Sequence, residues 1–326
     1  MFAVQRLKGL STRIYVAFLV AAAVPVMVAG LVGIYYSLDA LKNETLLHLD
    51  HEVSGRAAGL ARFFDRVTSE LLLLSSLPVA LDLSDALGAG GSSARPAVRE
   101  RVERAYAGFV RAYPYLYQVR FLSTDGKEVV RVDRRNDRPY TVPAEELQDK
   151  SGRYYVHEAL ELQPGQVYVS PLDLNIEHGQ VERPERPVVR FATPMADRKG
   201  VTRGLIIINL HADFILDQIQ EMAGMRGGTA YLFDRAGFFI ARSAADKPGA
   251  GALHMQSVEQ LASLFPRALL STIVGGGRGT QVAGDWIVAF APIAVGRALA
   301  DRSDSSMEWT IASAFPPASD AITGTL

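Results

Sequence analysis

The stretch from Ile14 to Tyr36 constrains this chain most, because it is strongly apolar and contains no charged side chain. A helix rises about 1.5 Å per residue, so this stretch is long enough to cross a hydrocarbon layer about 30 Å thick. Arg6, Lys8 and Arg13 precede it with no acidic residue among them, which favours a cytoplasmic N-terminus. The sequence therefore predicts a cytoplasmic segment over residues 1–13, one membrane helix and an extracytoplasmic remainder.

A cleaved signal peptide is the alternative interpretation of this stretch. The apolar core of a signal peptide normally has about 7–15 residues and is followed by an Ala-x-Ala cleavage pattern. Ala21-Ala22-Ala23 fits that pattern, but the apolar run continues well beyond it. We therefore favour an uncleaved anchor over residues 14–36.

Composition limits the classes of function that remain. With 326 residues, of which 48% are hydrophobic, the chain is long enough for one large or two ordinary domains outside the membrane. The net charge of −1 provides no field that would attract nucleic acid, so we expect no nucleic-acid partner. The chain contains no cysteine, which excludes disulfides and thiolate metal sites. We expect neither a cofactor nor a metal site.

A long stalk helix is predicted for residues 37–77, directly after the membrane helix. Its apolar residues recur at spacings of three and four, which is typical of an amphipathic helix. The residues of this stripe are Leu46, Leu49, Val53, Ala57, Leu60, Phe63, Phe64, Val67, Leu71 and Leu74. We expect the stripe to pack on the helix's own domain, and we expect the helix to pair with a second copy in a homodimer.

A β-hairpin is predicted for residues 118–133, where two apolar runs flank the turn sequence Thr-Asp-Gly-Lys. A two-residue turn at Asp-Gly sets Arg120 opposite Arg131, with Gln118 and Asp133 on the same face. Two directly opposed arginines are unfavourable unless an acid lies between them. That acid is either Asp133 or a group that a ligand supplies.

The plan of the chain repeats after about a hundred residues, a typical small-domain length. Residues 122–131 read L-S-T-D-G-K-E-V-V-R, and residues 232–242 read L-F-D-R-A-G-F-F-I-A-R. In the same order, V-R-F-A-T-P-M at residues 189–195 is echoed by V-A-F-A-P-I at residues 288–293. We therefore predict an α+β fold with two tandem modules built on antiparallel sheets. The predicted modules span residues 78–222 and 223–315, and a tail over residues 316–326 leads towards a missing second membrane span.

Three segments carry a resemblance to a known family: Arg153-Tyr154-Tyr155, the run V-Y-V-S-P-L-D-L-N over residues 167–175, and residues 187–209. The chain resembles the double Cache sensor domain, in which two PAS-like modules are attached to a long membrane-proximal helix. It is more similar to the sensors of bacterial histidine kinases and diguanylate cyclases than to those of classical chemoreceptors. The resemblance implies a protein of the bacterial inner membrane whose bulk is periplasmic.

The resemblance also implies a small ligand in the first, membrane-distal module. Family members that bind amino acids carry an Arg-x-Trp-Tyr pattern and a later aspartate. Tyr154-Tyr155 match the aromatic pair and Asp173 matches the acid, but Arg153 lies one position too late and the tryptophan is missing. The match to the amino-acid motif is therefore partial.

The predicted ligand site combines charged and aromatic residues of the first module. Its candidate residues are Arg120, Arg131, Tyr154, Tyr155, Tyr168, Asp173 and Arg190. Arg190 is of interest because its echo in the second module is Ala289, so the repeat itself does not require a charge there. Arginines suit a carboxylate-bearing ligand, because the guanidinium group binds a carboxylate through two parallel hydrogen bonds. The alternative is structural: arginines paired with Asp133 or Glu177, and tyrosines that fill gaps.

The leading functional interpretation is a small-molecule sensing region of a membrane-bound receptor of the histidine kinase type. It acts by binding, and no catalytic residue is predicted, because the chain carries no nucleophile elbow, phosphate-binding loop or zinc-protease motif. The alternatives are the sensor of a diguanylate cyclase or chemoreceptor, a non-catalytic ectodomain that binds a partner protein, and a membrane-anchored enzyme.

Overall fold

The structure is a computed structural model that describes residues 2–89, 96–224, 229–234, 239–242, 265–283, 286–294 and 308–315. The tail predicted at residues 316–326 lies wholly outside the described residues. The chain forms two compact units, Met1–His51 and Glu52–Leu326.

The first unit consists of one helix, because α1 runs from Phe2 to Ser76 and the unit ends within it. An 18-residue stretch of this helix has a mean hydropathy of 2.5, and none of it is buried inside the protein. By length and composition it is the one described helix able to cross a membrane. Pro25 lies inside it without ending it, as is common in membrane helices.

Within the second unit, α1 buries the predicted apolar stripe. Val53, Ala57, Leu60, Val67 and Leu71 are each at most 3% exposed, at the expected spacings of three and four. Burial of each large apolar side chain of this kind contributes roughly 1.5–3 kcal/mol to folding. The other helices are α2 (Pro78–Gly88), α3 (Pro96–Ala112), α4 (Tyr154–Leu160), α5 (Asp213–Gly224) and α6 (Arg267–Val274).

The first sheet is antiparallel and has the strand order β3-β2-β1-β9-β8-β4, with β5 also paired to β8. Its strands are β1 (Leu116–Ser123), β2 (Glu128–Arg135), β3 (Arg138–Thr141), β4 (Tyr168–Val169), β5 (Asp173–Leu174), β8 (Pro187–Ala196) and β9 (Thr202–His211). A separate small hairpin, β6 (Ile176–Glu177) and β7 (Gln180–Val181), lies outside this sheet.

The second sheet repeats the central path of the first. Its order is β11-β10-β14-β13-β12, formed by β10 (Thr229–Asp234), β11 (Phe239–Arg242), β12 (Gly279–Ala283), β13 (Trp286–Ala294) and β14 (Glu308–Phe315). This order corresponds strand for strand to β2-β1-β9-β8-β4 of the first sheet. The α+β fold with antiparallel sheets is confirmed, while the module boundaries at residues 78–222 and 223–315 stay a prediction.

The predicted pairing of Arg120 with Arg131 is confirmed, but the turn differs from the predicted one. Ser123 and Lys127 are hydrogen-bonded across the turn, so the loop has one residue more than a two-residue Asp-Gly turn. A bulge on β2 then shifts the register between Phe121 and Leu122 and restores the predicted pairing beyond it. The two deviations cancel, which is why the simpler turn predicted the right register.

Gly126 is required in this turn for two reasons. It has a φ of +80°, and a Cβ added there would lie 2.5 Å from the Cα of Ser151. We expect Gly126→Ala to lower the free energy of unfolding by about 1–3 kcal/mol or more, as measured by chemical denaturation. Gly152→Ala is the control in the same region, since a Cβ there meets nothing within 4 Å. Equal effects of the two substitutions would contradict this account of the turn.

Candidate functional site

A row of polar side chains crosses the middle of the first sheet. Gln118 pairs with Asp133 on one side and with Asn209 on the other, and Asn209 pairs in turn with Arg190. All four are at most 3% exposed. Buried polar groups destabilise a protein unless each finds a partner, so this row requires a dense hydrogen-bond network.

Glu128 lies between the two opposed arginines. Its carboxylate is 3.4 Å from Arg120 Nη1 and 3.6 Å from Arg131 Nη1. Arg131 also donates two hydrogen bonds to the carboxylate of Asp133, over 2.7 and 3.0 Å. The acid predicted between the arginines is therefore Glu128, with Asp133 as a second partner of Arg131.

The carboxylate of Glu177 collects five donors from four parts of the chain. One oxygen accepts from Arg131 Nη1 at 2.8 Å, Gln148 Nε2 at 2.6 Å and Lys150 Nζ at 3.3 Å. The other accepts from Gln118 Nε2 at 3.1 Å and Asn175 Nδ2 at 2.9 Å. Burial raises the pKa of Glu177, but Arg131, Lys150 and Arg120 outweigh it and hold this pKa well below its ordinary value.

Tyr155 lies in a positively charged environment. The guanidinium carbons of Arg190 and Arg120 are 4.8 and 5.8 Å from its ring centre, and the ring is almost fully buried. Burial raises the pKa of Tyr155, but Arg120, Arg190 and Lys150 together act more strongly and lower this pKa below its ordinary value. The local field therefore favours negative charge at the Tyr155 hydroxyl.

Two buried arginine nitrogens beside Tyr155 have no partner among the described residues. The Nη atoms of Arg120 donate to Asn209 at 2.8 Å and, over longer distances, to Glu128 and the Tyr155 hydroxyl, and Arg190 is paired with Asp173. The Nε–H groups of both arginines are buried and donate to no acceptor in the described part of the chain. Each side chain is only 1% exposed, so these unused donors are costly unless another molecule supplies an acceptor.

Six of the seven predicted site residues fall into two neighbouring groups, and Tyr168 belongs to neither. Arg120, Tyr154, Tyr155, Asp173 and Arg190 come together, because Asp173 binds Arg190 and also accepts a 2.7 Å hydrogen bond from Tyr154. Arg131 belongs to the neighbouring group around Glu177. Tyr168 packs in the apolar cluster beneath α4.

Sequence analysis did not identify several members of these groups as site residues. They are Glu128, Gln148, Lys150, Asn175, Glu177 and Asn209. Asn209 could have been found from the sequence of β9, since it is the one polar residue in the buried run over residues 204–210. Gln148 and Lys150 come from an irregular segment and Glu177 from a strand of two residues, so no periodicity predicts the direction of these side chains.

Two open cavities adjoin the group around Glu177, and neither is lined by Arg120, Tyr155 or Arg190. One, of about 670 Å³, is lined by polar residues that include Arg131, Asp133, Glu177 and His178. The other, of about 520 Å³, is lined by residues that include Lys150, Arg153 and His178. His178 and Gln148 line both cavities and contact each other, so they form part of the wall between the two.

The second sheet lacks this polar row at the corresponding positions. Ala230, Ser313 and Ala289 pair there in the way that Gln118, Asn209 and Arg190 pair in the first sheet. The same register brings Leu232 to the position of Arg120, two residues away from the alignment that the turn sequences suggest. The fold therefore does not require the polar row.

Low pH should lower the stability of the folded protein through protonation of Glu177. Its pKa is lower in the folded state than the ordinary value of about 4.3, so its contribution is complete above that value and is lost as the pH falls towards the folded pKa. We expect the Tm of the wild type to fall more steeply below about pH 5 than the Tm of Glu177→Gln. Thermal unfolding from neutral pH to about pH 3 measures this. Glu145→Gln, at an exposed position, is the control and should follow the wild type; parallel curves for wild type and Glu177→Gln would contradict the assignment.

Comparison with known proteins gives one family match and several structural matches. The family model "Bacterial histidine kinase, sensor domain" matches residues 72–296. None of the curated proteins is significantly similar to the chain in sequence.

Three of the similar solved structures show the shared fold at low sequence identity. A domain of a sensory box/GGDEF family protein from Vibrio parahaemolyticus has a TM-score of 0.64 at 18% identity, over 85% of this chain and 99% of that one. The periplasmic sensory domain of the Campylobacter jejuni chemoreceptor Tlp1 has a TM-score of 0.63 at 14% identity, over 87% and 99%. The ligand-binding domain of the Pseudomonas aeruginosa PAO1 amino acid chemoreceptor PctC, in complex with GABA, has a TM-score of 0.53 at 15% identity, over 83% and 100%.

Proposed function

The chain belongs to the family of bacterial histidine kinase sensor domains, and we propose that its first sheet binds a small carboxylate-bearing molecule. The observation that carries this proposal is the pair of buried arginines beside Tyr155, each with an unpartnered Nε. A ligand carboxylate between Arg120 and Arg190 supplies the missing acceptors and meets the positive field at the Tyr155 hydroxyl.

Two further observations support this ligand class. The positions of Gln118, Asn209 and Arg190 are occupied by Ala230, Ser313 and Ala289 in the second sheet, so the polar row serves something other than folding. The chemoreceptor PctC, which shares the fold, is complexed with GABA, and GABA carries a carboxylate. Asp173, next to Arg190, provides a negative group for a ligand that also carries an ammonium.

Helix α1 is the element that carries the ligand's effect onward. Alternate residues of β8 point to opposite faces of the sheet, so Phe191 follows Arg190 on the face away from the site. Phe64 of α1 is stacked on Phe191 at 5.9 Å and contacts Trp309 of the second sheet edge-on at 5.4 Å. A ligand that prefers one position of β8 therefore biases α1, by no more than its difference in affinity for the two positions.

The receptor as a whole spans the inner membrane once within this chain and exposes residues 37–326 to the periplasm. It acts as a homodimer through the exposed face of α1. The output is that of a histidine kinase, as the family suggests. A diguanylate cyclase output is the second candidate, favoured by the similarity to a sensory domain from a GGDEF protein.

Arg190→Ala tests the ligand site. The expected result is a roughly ten- to hundredfold loss of affinity for a stabilising carboxylate, because one charge-assisted hydrogen-bond pair is removed. The ligand is first found by thermal-shift screening of the detergent-solubilised full chain against small mono- and dicarboxylates and their amide counterparts. Affinity is then measured by titration calorimetry.

Arg198→Ala is the matched control for this substitution. Arg198 is an exposed arginine paired with Asp82 and Asp85, away from Tyr155, and its removal should leave the affinity unchanged. The ligand site is wrong if Arg190→Ala binds the carboxylate as tightly as the wild type. The proposed ligand class is wrong if only amides stabilise the protein.

Single cysteines test both the dimer and the topology, because the chain has no cysteine of its own. Ala58 lies on the exposed face of α1, and Val201 is 46% exposed in the turn between β8 and β9. We expect oxidation to cross-link Ala58→Cys into a covalent dimer and to leave Val201→Cys monomeric. A membrane-impermeant maleimide should label Val201→Cys in intact spheroplasts. Equal cross-linking of the two variants would contradict the dimer, and labelling only after lysis would contradict the topology.

A further inference from the structure

The donors around Glu177 form a complete anion-binding site. Arg131, Gln148, Lys150 and Gln118 surround one carboxylate and come from β1, β2 and the loop after β3. Lys150 Nζ lies 3.0 Å from the carbonyl oxygen of Ile176, within the hairpin, and 2.9 Å from Gln148 Oε1, outside it. The contact with Gln148 holds Lys150 when the hairpin leaves. Arg131 is likewise held by Asp133. The site thus has its shape whether or not Glu177 fills it.

Glu177 lies on the least anchored element near the site. Its hairpin consists of two strands of two residues each, which pair with each other and with no described strand of either larger sheet. His178, Gly179 and Gln180 at its tip are exposed, and open cavities adjoin it on both sides. The hairpin can therefore leave the site without breaking a strand pair of the first sheet.

The charges of the buried network are balanced when Glu177 is in place. The cations are Arg120, Arg131, Lys150 and Arg190, and the carboxylates are Glu128, Asp133, Asp173 and Glu177. An added ligand carboxylate leaves one negative charge in excess unless one of these acids moves to solvent. Glu128 and Asp133 are fixed in β2 and Asp173 is paired in β5, so Glu177 is the acid that is free to move.

We propose that Glu177 is a built-in competitor of the ligand: its carboxylate fills an anion site that a free carboxylate takes over when the β6–β7 hairpin swings out. The inference rests on the proposed function, because the anion site around Glu177 adjoins the proposed ligand site: Glu128 contacts Arg120 of one and Arg131 of the other. Binding then has two parts, the insertion of an anion and the release of the hairpin. The apparent affinity for an anion is the intrinsic affinity multiplied by the fraction of molecules in which Glu177 has left the site.

Chemical rescue tests this proposal without the natural ligand. Glu177→Ala empties the site, so the Tm of the full chain in detergent should fall by several degrees at pH 7. Sodium acetate should then restore most of this loss, in a saturable manner. Sodium chloride at the same ionic strength and acetamide, the neutral counterpart of acetate, should not restore it.

Glu182→Ala is the matched control. Glu182 is also a carboxylate bound by several donors, Tyr117, Asn175 and Arg186, but its arginine is partly exposed and lies outside the buried network. Acetate should stabilise Glu182→Ala no more than it stabilises the wild type. The proposal is overturned if acetate fails to rescue Glu177→Ala, if chloride or acetamide rescues it equally, or if Glu182→Ala is rescued to the same extent.

Glu177→Gln covers the case in which Glu177→Ala does not fold. This variant keeps the shape of the side chain and removes the competing charge, so acetate should stabilise it at a concentration at least several-fold lower than it stabilises the wild type. Equal acetate dependence in the two proteins overturns the competitor role. These results are separate from the carboxylate screen: a failed screen with successful rescue refutes the proposed ligand class alone, and a successful screen with failed rescue refutes the role of Glu177 alone.

Discussion

Compensation of buried positive charge is the constraint on which the first sheet depends. Three arginines and a lysine are almost fully buried on one face of it, and burying a charge is very unfavourable unless a partner lies within hydrogen-bond distance. The chain meets this requirement with carboxylates on β2 and with an acid brought in by a separate hairpin. Removal of one partner of a buried pair typically costs about 3–5 kcal/mol. The loops around the site are therefore held in place by charge more than by apolar contact.

The opposite face of the same sheet is apolar, and it is there that helix α1 packs. Phe64 contacts an aromatic residue of each sheet, Phe191 in the first and Trp309 in the second. Tyr115 adds a polar contact, because its hydroxyl donates to Glu70 of the same helix. The sheet thus has the charged site on one face and the apolar contact with α1 on the other. Neighbouring residues of β8 belong to the two different environments.

The regular parts of this arrangement could be predicted from the sequence, and the irregular parts could not. The stripe of α1 and the pairing of Arg120 with Arg131 follow from periodicities of 3.6 and 2, which depend only on local geometry. Of the acids that pair with the arginines, Glu128 and Asp133 lie on β2, but Glu177 comes from a separate hairpin whose position no local period encodes. Glu177 was foreseen only as a structural partner of an arginine, and Lys150 not at all. Tyr168 lies in the apolar cluster beneath α4 together with Tyr155, and its place in the ligand site stays a prediction.

The two sheets share a strand order, but one row of positions is charged or amide-bearing in the first sheet and occupied by small residues in the second. Gln118, Asn209 and Arg190 in one sheet correspond to Ala230, Ser313 and Ala289 in the other. Because the same strand arrangement accommodates both sets of side chains, ligand specificity can change without loss of the fold. New specificities can then arise by exchange of a few side chains that face the site. A duplicated module can likewise lose its binding residues and keep only a structural role.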